Sequence, residues 1–276
     1  MPSLARNTPC KCCSTVMSFE SHLSVKTPVL FKMFVAVPML PFLVAYTLWG
    51  NPWWPAVLVA GVVLYYPVQQ LGQAIGYHKL FAHRAFTPRP WYPYLATLVA
   101  SVAFYGDPLS SAMVHRLHHR YADTDRDPHS PLHGRFHAYL GWMRSYTPDV
   151  KDARCIADLL RDYPWMVRFR RYEWIVPWGF HTTLYVWSPM MSCAVLIACW
   201  LSIQNALLLN TYSHDPHDPR IEGVDRAVDT AWLARWVNPA FMHRYHHTHA
   251  SLADYTHAGV RDHWARFIDR FLTRTR

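Results

Sequence analysis

Long apolar runs alternate with polar, basic stretches along the chain, and the runs have the length of membrane crossings. The first covers about 29–49 and is interrupted near its start by Lys32. After a turn at 51–55, a second covers about 56–77. A third, 174–187, and a fourth, 190–211, are separated by Ser188 and Pro189. A helix needs about 20 apolar residues to cross the hydrocarbon. Four crossings in two hairpins are therefore expected, the third being short and helped by local membrane thinning. The run 91–105 is apolar but shorter, and is expected to lie in the interface or re-enter the bilayer. Residues 1–28 have no compact apolar core, so they read as a mobile tail rather than a secretory leader. Residues 29–276 then form one membrane domain, with a cap outside the lipid built from 78–172 and 212–276.

Charge assigns the sides. Of 27 Lys and Arg residues, 4 fall in 1–32, 14 in 76–172 and 9 in 214–276, with none in the turns 50–55 and 188–190. Basic loops stay cytoplasmic, so both termini and the cap are predicted on that face. Composition agrees with a bilayer protein: 51% hydrophobic, 16% charged and 13 tryptophans. The mean hydropathy near zero requires a large part outside the lipid. The net charge of +9 does not point to nucleic acid, because the basic residues avoid the apolar runs instead of interleaving with aromatics on one face. Six cysteines show no regular framework and read as reduced thiols. The segment from His263 to the end is Arg-rich and amphipathic, suited to an anionic lipid surface.

The candidate chemistry lies in the 18 histidines. His78 and His83 form HKLFAH, at the cytoplasmic end of the second run. His115, His118 and His119 form HRLHH, while His243, His246 and His247 form HRYHH. His214 follows Asn210 by one helical turn at the end of the fourth run. In an HxxHH set the i, i+3, i+4 spacing lets three imidazoles of one helix converge on a metal. The five-residue spacing of His78 and His83 does not fit one face of a straight helix, so one of them is expected past its end. Imidazole suits iron, copper, nickel or zinc. A single HxxHH also describes a zinc site or a solvated helix face. All the sets together on one predicted membrane face point to two ions. A membrane metal transporter would instead place its ligands inside the crossings. His181 falls within a crossing, where it either bonds a neighbouring helix or marks a polar cavity.

The boxes HxxxxH, HxxHH and HxxHH resemble those of the membrane fatty acyl desaturases, specifically the stearoyl-CoA desaturase branch. The resemblance extends to Asp127-Pro128-His129, to the stretch from Gly134 to Trp142, and to Asn210 with His214. It implies an all-α integral membrane protein, with four transmembrane helices in two hairpins and a cytoplasmic helical cap holding a di-iron site. His78, His83, His115, His118, His119, His214, His243, His246 and His247 would be the iron ligands, with Asn210 holding a water on one iron. Asp127, His129 and His137 would support ligand rings, although Asp127 also fits a local turn before Pro128. Tyr66, Gln70 and Trp142 would line the acyl tunnel. Gln70 either shortens the substrate or bonds a neighbouring helix. The implied reaction uses two irons and O2 to place a double bond in an acyl chain carried on CoA or acyl carrier protein. Related hydroxylases and acetylenases carry similar boxes. The electron donor would be a separate ferredoxin or cytochrome-b-type protein, drawn to a basic face of Arg116, Arg120, Arg126, Arg135, Arg144, Lys151 and Arg154.

Overall fold

A computed structural model describes Ala45 and residues 50–274, apart from 147–148, 216 and 218–224. The first predicted crossing, 29–49, therefore lies outside the described residues except for Ala45. Among the described residues the regular structure is helical, and extended pairing is confined to isolated bridges such as Pro88 with Thr273.

Helix α1 (Trp54–Ala82) is 29 residues long and contains the second predicted crossing. Pro55 occupies its first turn, where a missing N–H costs nothing. Pro67, in its interior, donates no hydrogen bond, and from Val68 to Ala82 the backbone winds in the wider π form. The last wide turn ends with the His83 N–H on the His78 carbonyl at 3.1 Å. That winding answers the awkward spacing of the first pair: His83 caps the helix, and its ring stands 4.8 Å from that of His78.

Small residues bring neighbours close to α1. A Cβ on Gly72 would stand 2.8 Å from the Ala100 nitrogen, and one on Gly76 would stand 2.6 Å from the Ala96 Cβ. Helix α2 (Tyr92–Val102) thus lies directly on the wide part of α1. Helix α3 (Pro108–Tyr121) starts at Asp107, which accepts the Ser110 N–H. Short helices α4 (Trp142–Ser145), α5 (Ala157–Asp162) and α6 (Trp165–Tyr172) follow.

Helix α7 (Ile175–Trp187) has 13 residues and α8 (Pro189–Tyr212) has 24. Two described helices, α1 and α8, are long and apolar enough to cross a membrane. Helix α7 reaches only about 20 Å at 1.5 Å per residue, so by itself it falls short of the hydrocarbon. His181 of α7 bonds the Val102 carbonyl at 2.9 Å, the helix-to-helix alternative. Helices α9 (Ala231–Trp236), α10 (His243–Thr248) and α11 (His263–Phe267) complete the chain.

Two polar clamps hold the cap to α1. Arg116 of α3 donates to the Phe81 and Ala82 carbonyls at the C-terminal end of α1, to the Cys155 carbonyl and to Asp158. Buried Lys79 pairs with buried Asp262 at 2.6 Å and donates to the Ala253 carbonyl at 2.7 Å.

Candidate metal centre

The nine histidines singled out by their spacing come from α1 and its cap, α3, the end of α8, and α10, and they gather into two groups. His78, His83, His115, His119 and His246 form one; His118, His214, His243 and His247 form the other. Within each group the nearest ring nitrogens lie within 4.8 Å of one another.

The HxxHH sets do not each serve one group, contrary to the expectation that their three rings converge. His115 and His119 stay together while His118 turns to the other group; likewise His243 and His247 stay together while His246 leaves. Successive helical residues are about 100° apart, so i and i+4 are about 40° apart but i+3 and i+4 differ by a full step. A helix standing between two centres can therefore feed both.

In the five-membered group, Nε2 atoms face one another at 2.7 Å (His83 and His115), 3.0 Å (His115 and His119), 3.0 Å (His119 and His246) and 3.1 Å (His78 and His246). In the four-membered group, His243 Nε2 lies 3.2 Å from that of His214 and 3.0 Å from that of His247. The tautomers there are set from behind. His214 Nδ1 donates to Asp123 at 3.0 Å, His118 Nδ1 donates to Asp127 at 2.9 Å, and His247 Nδ1 donates to Asp225. His214 and His247 thus each aim a bare Nε2 lone pair at His243, whose single ring proton satisfies at most one of them. Protonating the clusters is resisted by burial first, then by neighbouring imidazoles, which hold His115, His118, His119, His243, His246 and His247 well below the ordinary histidine range. Burial, with Arg116 nearby, takes His83 down to about 3. Convergent, neutral lone pairs in a buried site are what a divalent or trivalent cation requires, so the donor set fits two metal ions.

Of the three expected supporting residues, Asp127 plays both roles considered for it. Its Oδ1 takes the His118 ring and also the His129 N–H at 3.2 Å, closing the local turn. His129 is buried with its ring 4.3 Å from that of His118. His137 packs on His133 instead, with ring centroids 5.2 Å apart, and belongs to neither group. Spacing gave no hint of Asp123 or Asp225. Asp123 takes a positive φ of 58°, unusual outside glycine, and its buried carboxylate also accepts the Arg226 N–H at 2.7 Å. The acid-rich run from Asp123 to Asp127, just behind HRLHH, was the available signal for the first. Nothing local marked the second.

A cavity of about 190 Å³ reaches His115, His129 and Asn210. Met113, Val114, Trp142, Met143, Ile203 and Leu207 give it apolar walls, and Asp107, Arg170 and Glu173 add charged groups. Trp142 therefore lines this cavity. Tyr66 and Gln70 are not among its lining residues. Tyr66 is exposed and stacks near Trp264, and Gln70 is buried in the wide part of α1. Its neighbour Gln69 bonds Gln73, Asn205 and Ser202, an amide network joining α1 to α8.

Fold and site together define a helical protein with two helices long and apolar enough to cross a membrane and two polyhistidine groups. No family model matches the chain. It is 28% identical over 197 residues to the sn-1 stearoyl-lipid 9-desaturase of Anabaena variabilis, covering 70% of this chain and 72% of that protein. It is 29% identical to Delta-9 acyl-lipid desaturase 1 of Arabidopsis thaliana, covering 72% of this chain and 66% of the relative. It is 28% identical to the acyl-CoA desaturase of Ovis aries, over 68% of this chain and 56% of the relative. The relatives that the chain resembles over most of its length are thus fatty acyl desaturases acting at the delta-9 position or on acyl-CoA, by their names.

Proposed function

We propose that the chain is a membrane-embedded, di-iron, O2-dependent fatty acyl desaturase acting on an acyl chain carried by CoA or acyl carrier protein. The observation that supports this best is the pair of buried and half-buried, all-imidazole groups beside a largely apolar cavity that reaches His115 and Asn210. When bound, two irons with O2, two external electrons and two protons would supply the oxidation: one hydrogen would leave each of two adjacent methylenes, and O2 would end as two waters. The chain's own residues then have separate tasks. The nine histidines hold the ions, and Asp123, Asp127 and Asp225 keep three rings in the Nδ1–H tautomer so that Nε2 faces the metal. Met113, Trp142, Ile203 and Leu207 hold the alkyl chain and exclude water, and Asn210 retains a water beside one ion.

In this reading α1 and α8 cross the bilayer with the two further crossings expected from the sequence, 29–49 and 174–187, and the centre faces the cytoplasm with both termini. The electron donor docks on exposed Arg120, Arg126, Arg135, Arg144, Lys151 and Arg154. Arg116 is removed from that face, because its guanidinium is committed to the end of α1.

The test is expression in a host without desaturase, with a ferredoxin or cytochrome b reductant, followed by mass spectrometry of total fatty acids. Acyl species lighter by two hydrogens are expected. A product heavier by one oxygen would reassign the chain as a hydroxylase, and no product from protein loaded with two irons would overturn the proposal.

A further inference from the structure

The two histidine groups differ in what stands behind them. Three of the four rings in the smaller group are backed by carboxylates, and these carboxylates are themselves pinned. Asp127 Oδ2 accepts the Asp123 N–H at 3.0 Å, Asp123 accepts the Arg226 N–H, and Asp225 accepts the Ala227 N–H at 3.0 Å. In the larger group no carboxylate reaches a ring among the described residues. His246 Nδ1 is buried without a hydrogen-bond partner, as is His243 Nδ1, the one ring of the smaller group that no carboxylate backs; the cations near the larger group, Lys79 beside His78 and Arg116 near His83, are each paired with a carboxylate of their own, Asp262 and Asp158.

These surroundings act on a buried cation in one direction. A carboxylate behind an imidazole fixes its tautomer and raises its basicity, and each such partner is worth roughly 10- to 100-fold in metal affinity. Three nearby negative charges also offset the charge of an ion removed from water, whereas Lys79 and Arg116, each balanced by Asp262 or Asp158, give the larger group no such offset. The larger group has one more ligand, but that ligand is a neutral imidazole. We infer that the two metal positions are unequal: the four-histidine position fills first and more tightly, and Asp123, Asp127 and Asp225 are the positioning residues that make it so. This rests on the nine histidines being the metal site.

The experiment is a titration of the purified, chelator-stripped full chain with Co(II), followed by calorimetry and visible absorption. Two resolved steps are expected, one ion each, with the first at least about tenfold tighter. Asp225→Asn and Asp127→Asn, tested separately, should weaken the first step by about 10- to 100-fold and leave the second in place. His83→Ala should do the reverse. Two indistinguishable steps in the unaltered chain would overturn the inference without any variant, as would Asp variants that weaken both steps alike. If the unaltered chain binds no Co(II), it is the metal-site reading that fails.

Discussion

An imidazole whose Nδ1 proton is given to a carboxylate has only Nε2 left to offer, and that choice is made one residue at a time. His118 and His246 are the two rings that depart from their own sequence triplets, each joining the other group. Replacing either by alanine removes a ligand that the rest of its own helix does not supply. His118→Ala and His246→Ala should each lower iron content and abolish desaturation together. Turnover retained by either variant, measured on protein of known iron content, would sink the ligand assignment. The Lys79–Asp262 pair sets stability at the same scale, both side chains being almost completely buried. Asp262→Asn leaves an uncompensated ammonium and should cost about 3–5 kcal/mol, read by thermal unfolding in detergent. A loss below about 1 kcal/mol would show that water reaches Lys79.

Elements meet here through the residues that are missing side chains. Gly72 and Gly76 let α2 rest on α1, and α2 leads directly into the loop and helix that carry His115, His118 and His119. In Gly72→Ala the added methyl meets backbone at 2.8 Å, which no side-chain movement relieves. Destabilisation of about 1–3 kcal/mol is expected, with partial loss of metal because α3 shifts with α2. Gly179 of α7 has no atom within 4 Å of an added Cβ. Gly179→Ala should therefore be neutral or stabilising by up to about 1 kcal/mol. The opposite signs of the two changes, read in one thermal-shift experiment, test the packing directly.

For the whole molecule, the candidate metal centre joins elements far apart in sequence: α1 and its cap, α3, the end of α8, and α10. Ions bound only by the folded chain stabilise it by mass action, about 2.7 kcal/mol per ion at 100-fold excess over Kd. Chelation should lower the melting temperature, and Fe(II) should restore it; an unchanged melting temperature would mean the cap is held without metal. The metal-free chain also carries a pH dependence of known sign. Burial holds His78, His115, His118, His119, His243, His246 and His247 well below their ordinary value of about 6.5, with His83 near 3. Between these values the unfolded chain takes up protons that the folded chain refuses. Stability is thus complete above about pH 6.5 and falls as pH drops toward 3. Melting of the chelated protein at pH 5.5 should precede melting at pH 7.5, and the reverse order would contradict the buried neutral rings.

Sequence by itself singled out the nine histidines that gather into two groups, and two of the helices that carry the apolar runs, because both are recorded in short-range spacing. The resemblance of Asp127-Pro128-His129 and of the stretch from Gly134 to Trp142 to the desaturases also pointed to Asp127 and Trp142. Only the tertiary structure decided how the nine divide. The split of each HxxHH set depends on where two separate helices stand, and local periodicity carries no information about that. The π winding after Pro67 likewise converted a five-residue spacing, unreadable on an ordinary helix, into adjacent rings. Asp123 reaches His214 across 91 positions, and Asp225 reaches His247 across 22. Partnerships at such separation are products of packing, and so is the inequality between the two metal positions inferred from them.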